Sequence, residues 1–287
     1  MNKIKLKSIF IIAKSEYIKW ITNPRIIIVG VLFIFMKTLA VEPLLERAGK
    51  MGIPLNILEP FAAIGNSGML VMLLPCVFLI LVSDYPAMGN NTLLIVQRAG
   101  KLNWFLGQLL FIFSAIVSFL GSVFIISIAF SDGKAGLSWS DVVTKYNSVF
   151  PQEANNFASQ LLPSNLYNQI PLLTAVFQTL VLLCAYLFLL VLILYLCKLL
   201  RFHSAGLLSV FIVIGFGVTT CSLKTSAMWI FPMANTIIWL HYTKILSVPI
   251  FPVQFSFLYF AVGIILLLAG NILALKNLQF INTEQPR

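Results

Sequence analysis

Six predominantly apolar stretches limit what this chain can fold into. Each is 17 to 28 residues long, about the length that an α-helix needs to cross the roughly 30 Å hydrocarbon core of a bilayer. The stretches are Arg25–Val41, Ser67–Ser83, Trp104–Phe130, Ile170–Cys197, Ser204–Cys221 and Val253–Leu275. The sequence therefore predicts an all-α integral membrane protein with six transmembrane helices.

The overall composition excludes an ordinary water-soluble domain. Of the 287 residues, 60% are hydrophobic and 10% are charged, whereas soluble domains average about 45–50% and about 25%. A chain this apolar cannot hide most of its side chains inside one water-facing globule. We therefore expect residues 1–287 to form a single transmembrane domain.

The distribution of charge predicts the orientation in the membrane. If the N-terminus is cytoplasmic, twelve of the nineteen basic residues fall in cytoplasmic segments, together with only three of the nine acidic residues. Such a bias is typical of the inner side, where basic residues also meet anionic lipid headgroups. The prediction is a multi-pass protein of the cytoplasmic membrane with both termini inside and membrane lipids as partners. Nucleic-acid binding, the other common explanation of a net charge of +10, does not fit so apolar a chain.

Residues 3–22 are predicted to form an amphipathic helix that lies in the plane of the membrane surface. Its apolar face consists of Leu6, Ile9, Phe10, Ala13, Tyr17 and Trp20. Four lysines lie off that face, although several isoleucines narrow the polar side. Asn23-Pro24 is expected to turn the chain into the first span, because proline disfavours helix in the residue before it.

The stretch 84–103 is the one sizeable polar insertion on the predicted cytoplasmic side. Asn90 or Asn91 suits the N-cap of a short helix, and Gly100 suits its end. Arg98 and Lys101 lie near the C-terminal end of that helix, where the helix dipole favours cations. A protein buried in lipid has few other surfaces with which to meet a soluble partner.

Three further segments are predicted on the outer side. Residues 41–66 form a proline-containing loop, and residues 131–169 form a small cap with a short amphipathic helix. Residues 222–252 are too interrupted to cross the membrane twice as regular helices. They favour re-entrant half-helices around Pro232 and Asn235, since irregular backbone at membrane depth must be satisfied by protein or water.

The sequence contains no catalytic or ATP-binding motif. The phosphate-binding pattern GxxxxGK[ST], the zinc-protease pattern HExxH and the nucleophile pattern GxSxG are absent. His203 and His241 are expected on opposite sides of the membrane, which argues against a shared metal site. Lys37, near the outer end of the first span, is expected to extend its ammonium group to the headgroups. We expect no catalytic residue, metal or cofactor in this chain.

These features resemble ATP-binding-cassette (ABC) exporter permeases of the type-2 class. The resemblance is carried by the basic helix ending in EYIKWITNPR, by SDYPAMGNNTLLIVQRAGKLNWFLGQLL between two spans, and by the broken FPMAN segment. It implies a coupling helix that docks on an ATPase subunit, and an N-terminal helix that touches the same subunit. The matching residues are Asp84, Gly89, Leu93, Arg98, Gly100, Lys101 and Trp104 in the coupling region, and Tyr17, Trp20 and Arg25 near the N-terminus. Where many relatives carry a glutamate near the turn, this chain has Tyr85-Pro86-Ala87-Met88.

The resemblance also implies partners and a mechanism. ABC ATPase subunits on a separate chain would bind the ATP, and a second permease subunit, identical or related, would face this one. Closure of the ATPases would open the paired bundles outward and export a hydrophobic or amphipathic cargo such as a peptide, a lipid or a drug. Self-protection against an antimicrobial peptide is one such role.

Two other classes of function stay open at this point. The first is a membrane sensor or assembly subunit that transports nothing. The second is a membrane-embedded enzyme, which would need convergent polar residues near one leaflet.

Overall fold

The computed structural model describes residues 4–86, 90–245 and 248–277, and this part of the chain is helical with no β-strand. Five of the described helices are long and apolar enough to cross a membrane, and a bent pair makes a sixth if its two arms count as one span. The all-α class is thereby confirmed, and the helices agree with a multi-pass membrane protein. The kind of membrane and the orientation of the termini stay predictions.

The helices follow one another along the chain with short connections. The first seven are α1 (Leu6–Ile21), α2 (Ile27–Met36), α3 (Glu42–Met51), α4 (Glu59–Asn66), α5 (Gly68–Val82), α6 (Asn90–Ala99) and α7 (Lys101–Ala129). The next seven are α8 (Asp141–Val149), α9 (Phe157–Leu161), α10 (Ser164–Tyr167), α11 (Leu172–Leu199), α12 (His203–Ser222), α13 (Pro232–Thr236) and α14 (Val253–Asn277).

Helix α11 is the centre of the bundle. It packs against α14, α12, α7, α4 and α5, and Tyr186, Leu190 and Leu194 are fully buried there. Because lipid tails are as apolar as these side chains, close packing holds such helices together more than the exclusion of water does. Apolar side chains on the outer faces of α12 and α14, such as Phe216 and Leu266, are exposed, as expected for surfaces that meet lipid or another membrane-embedded chain.

Helix α1 runs alongside the first half of α7, in the same direction. Near its start, the backbone N–H of Lys5 donates to Asn103 Oδ1 at 3.1 Å. Three turns later, the hydroxyl oxygen of Tyr17 lies 2.7 Å from Ser118 Oγ. The two contacts fix the register of α1 on α7.

The helix predicted within residues 3–22 forms, and its buried face overlaps the predicted apolar face in part. Ile9, Ala13 and Trp20 of that face are buried, whereas Leu6 and Phe10 are 67% and 62% exposed. Ile12 and Glu16, which lie off the predicted face, are buried as well. The reason is that α1 packs lengthwise against α7, so the residues that face α7 are buried whether or not they belong to the apolar stripe. An in-plane position at the membrane surface stays a prediction.

We expect Gly107→Ala to loosen α1 from α7 and to lower the free energy of unfolding in detergent by about 1–3 kcal/mol. A Cβ atom at Gly107 would lie 2.8 Å from the Ile12 Cβ and 3.2 Å from the Ile9 carbonyl oxygen, so α1 would have to move. Gly121→Ala in the same helix is the matched control, because no atom lies within 4 Å of its new Cβ. Equal thermal unfolding curves for the two variants would contradict the close approach of α1.

The first spanning helix is longer than predicted. The predicted span Arg25–Val41 was expected to lead into a loop, but the helix continues from Pro24 to Met51. A π-helical turn at Lys37–Val41 precedes Pro43, which lies in the first turn of α3, where a missing N–H is tolerated. Gly52, at φ +65°, ends the helix in the left-handed conformation that glycine adopts readily. The expectation of a loop directly after Val41 was therefore wrong.

The second predicted span, Ser67–Ser83, is the longer arm of a bent pair. Helices α4 and α5 meet at 82°, with Ser67 extended at the break. Next to it, the Asn66 side chain is fully buried. Its Oδ1 accepts from the Ile238 N–H at 2.8 Å, and its Nδ2 donates to Thr179 Oγ1 at 3.1 Å. One buried amide group therefore joins the break to α11 and to the segment before α14.

Residues 131–169, the cap, cover the end of the bundle where α7 ends and α11 begins, and they contain α8, α9 and α10. Glu59 ties the cap to α4: its buried carboxylate accepts from both the backbone N–H and the hydroxyl of Ser140. Nearby, the Arg47 guanidinium lies 4.4 Å from the centre of the Tyr146 ring. Specific polar contacts thus hold the cap on the bundle.

The described part of residues 222–252 contains three short helical turns. The turns are Ser226–Ile230, Pro232–Thr236 and Ile238–His241. His241 is fully buried with its Nδ1 2.8 Å from the Phe251 carbonyl oxygen, and Asn235 Nδ2 donates to the Trp229 carbonyl at 2.9 Å. Buried side chains therefore bond backbone groups of this irregular segment. Its depth in a membrane stays a prediction.

Candidate functional site

The predicted coupling region begins at the end of α5, where it meets the start of α2. Arg25 connects the two: its Nη1 lies 2.7 Å from Asp84 Oδ2 and donates to Ser83 Oγ at 2.9 Å. Asn23 orients Arg25, because its side chain accepts from the Arg25 backbone N–H at 3.0 Å. The structure thus brings together Arg25 and Asp84, two predicted site residues that are far apart in the sequence.

Lys198, in the last turn of α11, joins the same cluster. Its Nζ donates to the Ser83 carbonyl oxygen at 2.6 Å, and the residue is only 8% exposed. We name Arg25, Ser83, Asp84 and Lys198 the junction; it links α2, α5 and α11. In the sequence analysis, Lys198 was counted only among the basic residues of the cytoplasmic side. Its position at the end of a long apolar run was the signal that could have identified it as a site residue.

Tyr85, directly after Asp84, packs the chain onto the bundle. Its ring centre lies 4.7 Å from that of Phe111, and its hydroxyl donates to the Glu16 carbonyl oxygen at 3.4 Å. Burial raises the pKa of Tyr85 to about 12, with smaller contributions from the charges of Glu16 and Asp84. The hydroxyl is therefore protonated at neutral pH and able to donate. This tyrosine, another residue that sequence reasoning did not select, anchors the chain to α1 and α7.

Tyr17 and Trp20, the predicted aromatic site residues of α1, do not form an exposed surface. Trp20 is 4% exposed, and its ring centre lies 5.5 Å from that of Tyr17. Tyr17 contacts Ser118 of α7, as described above. On the same helix the buried Glu16 pairs with Lys19 at 3.0 Å. These side chains hold α1 on the bundle; contact of α1 with another protein stays a prediction.

Helix α6 is the short helix predicted between the second and third spans. It covers Asn90–Ala99, packs against α7 and ends at Gly100, whose φ of +87° favours glycine. The chain then enters α7 directly at Lys101. A displacement of α6 would therefore be passed to a spanning helix through a single residue.

The outer surface of α6 carries both apolar and charged side chains. Leu94 is 53% exposed, and Gln97 and Arg98 are also exposed. A mixture of this kind is suited to a protein partner, since arginine is enriched at interfaces and the buried centre of an interface is more apolar than its rim. Gly89 lies outside the described residues, as does the side chain of Leu93, so their predicted roles stay predictions.

Lys101 and Trp104, the last predicted residues of the region, contact the bundle. Trp104 is 1% exposed, with its ring centre 6.3 Å from that of Tyr195 in α11. Lys101 Nζ donates to the Lys276 carbonyl oxygen, near the end of α14, at 3.3 Å. Both residues anchor the start of α7, and Arg98 is exposed among the predicted site residues of α6 whose side chains are described.

We expect the Arg25–Asp84 pair to contribute less than about 1 kcal/mol to stability, because ion pairs at exposed positions are weak. The two side chains are 40% and 60% exposed. A double-mutant cycle with Arg25→Gln and Asp84→Asn, read out by thermal unfolding in detergent, measures the coupling. A coupling of several kcal/mol would contradict the exposed geometry. A small coupling free energy would mean that the pair mainly orients the side chains of the junction and adds little to stability.

No protein-family model, no curated protein and no solved structure matches this chain. The function must therefore be inferred from the residues and their arrangement.

Proposed function

We propose that this chain is the permease subunit of an ATP-driven exporter and that α6 receives the movement of a separate ATPase subunit. The observation that carries the proposal is the position of α6. It presents an exposed Arg98 and is joined to α7 by Gly100 alone. In the proposed orientation, α6, the junction and both termini lie in the cytoplasm. The ATP would be bound entirely by the partner.

The junction gives the proposal a mechanical basis. A push on α6 acts on α7 through Gly100 and on α5 through the connection that begins at Ser83. The junction then links α5 to α2 through Arg25 and to α11 through Lys198. Helix α6 packs against α7, and the junction that precedes it in the chain connects α5 with α2 and α11.

The apolar character of the bundle supports a hydrophobic or amphipathic cargo, such as a peptide, a lipid or a drug. The face of α12 exposes Leu208, Phe211, Ile212 and Phe216. A second permease subunit, identical or related, would face this side, so that cargo passes between α5 and α12 of the two subunits. Protection of a cell from an antimicrobial peptide is one role that fits such a cargo.

The alternative function is a sensor or assembly subunit that uses the same α6 surface and transports nothing. ATP hydrolysis by the purified complex in liposomes distinguishes the two. An exporter is expected to show stimulation by one cargo class among apolar peptides, lipids and drugs, together with ATP-dependent accumulation of that compound. A flat response across all classes would overturn transport and favour the sensor.

A further inference from the structure

We propose that His241 is a pH-sensitive latch, which holds the chain that leads into α14 while its imidazole is neutral and releases that chain when the imidazole is protonated. The juxtaposition behind the proposal is a fully buried imidazole that joins two segments of the chain with no acidic side chain bonded to it. The latch depends only on the contacts of His241, so it requires neither the proposed function nor the proposed orientation.

His241 holds the chain before α14 through its backbone and its side chain. Its carbonyl oxygen accepts from the backbone N–H of Ile250 at 2.7 Å and from that of Phe251 at 3.3 Å. Its Nδ1 lies 2.8 Å from the Phe251 carbonyl oxygen. The Trp229 ring packs on both residues, with its centre 4.8 Å from that of His241 and 4.4 Å from that of Phe251. One residue thus fixes the approach to α14.

The neighbours of His241 determine where its proton lies. A carbonyl oxygen can only accept, so Nδ1 carries the proton of the neutral ring and Nε2 keeps a lone pair. Nε2 lies 3.5 Å from Ser256 Oγ, whose own proton is donated to Asn235 Oδ1 at 2.7 Å. Asn235 is oriented in turn, because its Nδ2 donates to the carbonyl oxygens of Trp229 and Phe231. Nε2 therefore receives no hydrogen bond from Ser256 and is the atom that an added proton would occupy.

A protonated His241 would lack a counter-charge. Between residues 225 and 275 the other charged residue is Lys244, which is exposed. Glu59, the acidic residue of α4, is already occupied by Ser140 of the cap. The turn Ile238–His241 packs against α10 and α11, and Ser256 belongs to α14.

The titratable side chains of α10, of the first halves of α11 and α14, and of the residue after His241 are uncharged near pH 6. They are Tyr167, Cys184, Tyr259 and Tyr242. A buried cation without a charged partner is strongly unfavourable. Protonation of His241 should therefore favour an arrangement in which the ring reaches water.

The direction of the pH dependence follows from burial. Burial lowers the pKa of His241 from its ordinary value near 6.5, and hydrogen bonding to the backbone of Phe251 and Asn235 offsets this only in part. The open form binds its proton near pH 6.5. The stability of the closed form is therefore fully present above that pH and is lost as the pH falls below it.

Hydrogen exchange of the intact protein in detergent tests the latch. Protection factors at pH 7.5 and pH 5.5, corrected for the intrinsic pH dependence of exchange, are compared for a peptide that contains Ile250 and Phe251. The protection factor should fall about tenfold, because the open form gains about a factor of ten at one pH unit below its pKa while the closed form stays neutral. Peptides from α11 should keep their protection.

The chain has two histidines, so two variants assign the effect. His241→Asn keeps an N–H donor near the position of Nδ1 but cannot take up a proton, so its protection should be equal at the two pH values. His203→Gln is the matched control and should keep the tenfold fall. A tenfold fall that persists in His241→Asn, or no fall in the wild-type protein, would overturn the latch.

A second measurement decides if the segment is unprotected in His241→Asn at both pH values. The His203→Gln protein, labelled with ¹⁵N-histidine, gives the NMR signals of His241 alone. These signals should show the neutral ring with its proton on Nδ1 at pH 6. A ring in the folded protein that titrates at or above pH 6.5 would overturn the proposal.

Discussion

Replacement of residues 88–100 by a flexible segment of equal length is expected to release the ATPase subunit from this chain. The replacement removes α6 with its exposed Leu94 and Arg98 but leaves the junction and α7 in place. Loss of a single strongly contributing interface residue costs about 2 kcal/mol or more, so loss of the whole helix should lower affinity by well over about tenfold. The measurement is the ATP hydrolysis that remains on the tagged chain after affinity purification.

A charge reversal at the same surface gives a milder version of this result. Arg98→Glu should reduce the retained ATP hydrolysis strongly, because it replaces the exposed cation at the end of α6 with an anion. Lys134→Glu is the matched control, since it makes the same change at an exposed position of the cap, at the opposite end of the bundle. If the chain with residues 88–100 replaced retained as much ATP hydrolysis as the wild-type chain, α6 would not be part of the coupling path.

Asn66→Ala is expected to be among the most destabilising single substitutions outside the purely apolar core. It removes the acceptor of the Ile238 N–H and the donor to Thr179, both of which lie in buried surroundings. An unsatisfied buried polar group costs about 1–3 kcal/mol, so the free energy of unfolding in detergent should fall by about that amount. The Trp239 Nε1–H bond to the Asn66 carbonyl should persist, because it uses the backbone.

Asn168→Ala provides the control for this prediction. Asn168 is exposed, and its side chain makes no described hydrogen bond. Its replacement should therefore shift the unfolding transition little. If the two alanine variants unfold at the same temperature, the break between α4 and α5 does not depend on the buried amide, and the bend must be held by packing alone.

The helical class was predictable because its signals are local. Long apolar runs require helices in lipid, since only helices satisfy their own backbone hydrogen bonds within one segment. The existence of α1 and of α6 followed from patterns within about twenty residues. The end of α6 at Gly100 was predictable for the same reason, because a positive φ strongly favours glycine at that point.

The parts that were missed depend on contacts between distant residues. The bond from Asn66 to Ile238 spans 172 positions, and no local pattern indicates it. Glu16 is buried because α7 packs against its side of α1. The order of apolar and polar residues within α1 does not indicate that burial. The junction was predicted in part: Arg25 and Asp84 were selected by resemblance, but Lys198 was not. The contacts of Lys198, and those of Tyr85 with α1 and α7, become visible only when the helices are assembled.

The functional account depends on α6 more than on any other element. The described chain has a cap held on the bundle by polar contacts at one end and an exposed helix, α6, at the other. Helix α6 is joined to the spanning helix α7 through Gly100, and the junction precedes it in the chain. The central claim is therefore that the ATP-hydrolysing partner touches the surface of α6.

Site-specific photo-crosslinking tests that claim most directly. A photoreactive amino acid is introduced at Gln97, an exposed position of α6, and in a second variant at Lys134, an exposed position of the cap. The account predicts that the chain labelled at Gln97 cross-links to the ATP-hydrolysing subunit, that the yield changes when nucleotide is added, and that the Lys134 variant gives no such product. Cross-linking of the ATPase from Lys134, or from neither position in a complex that still hydrolyses ATP, would contradict it.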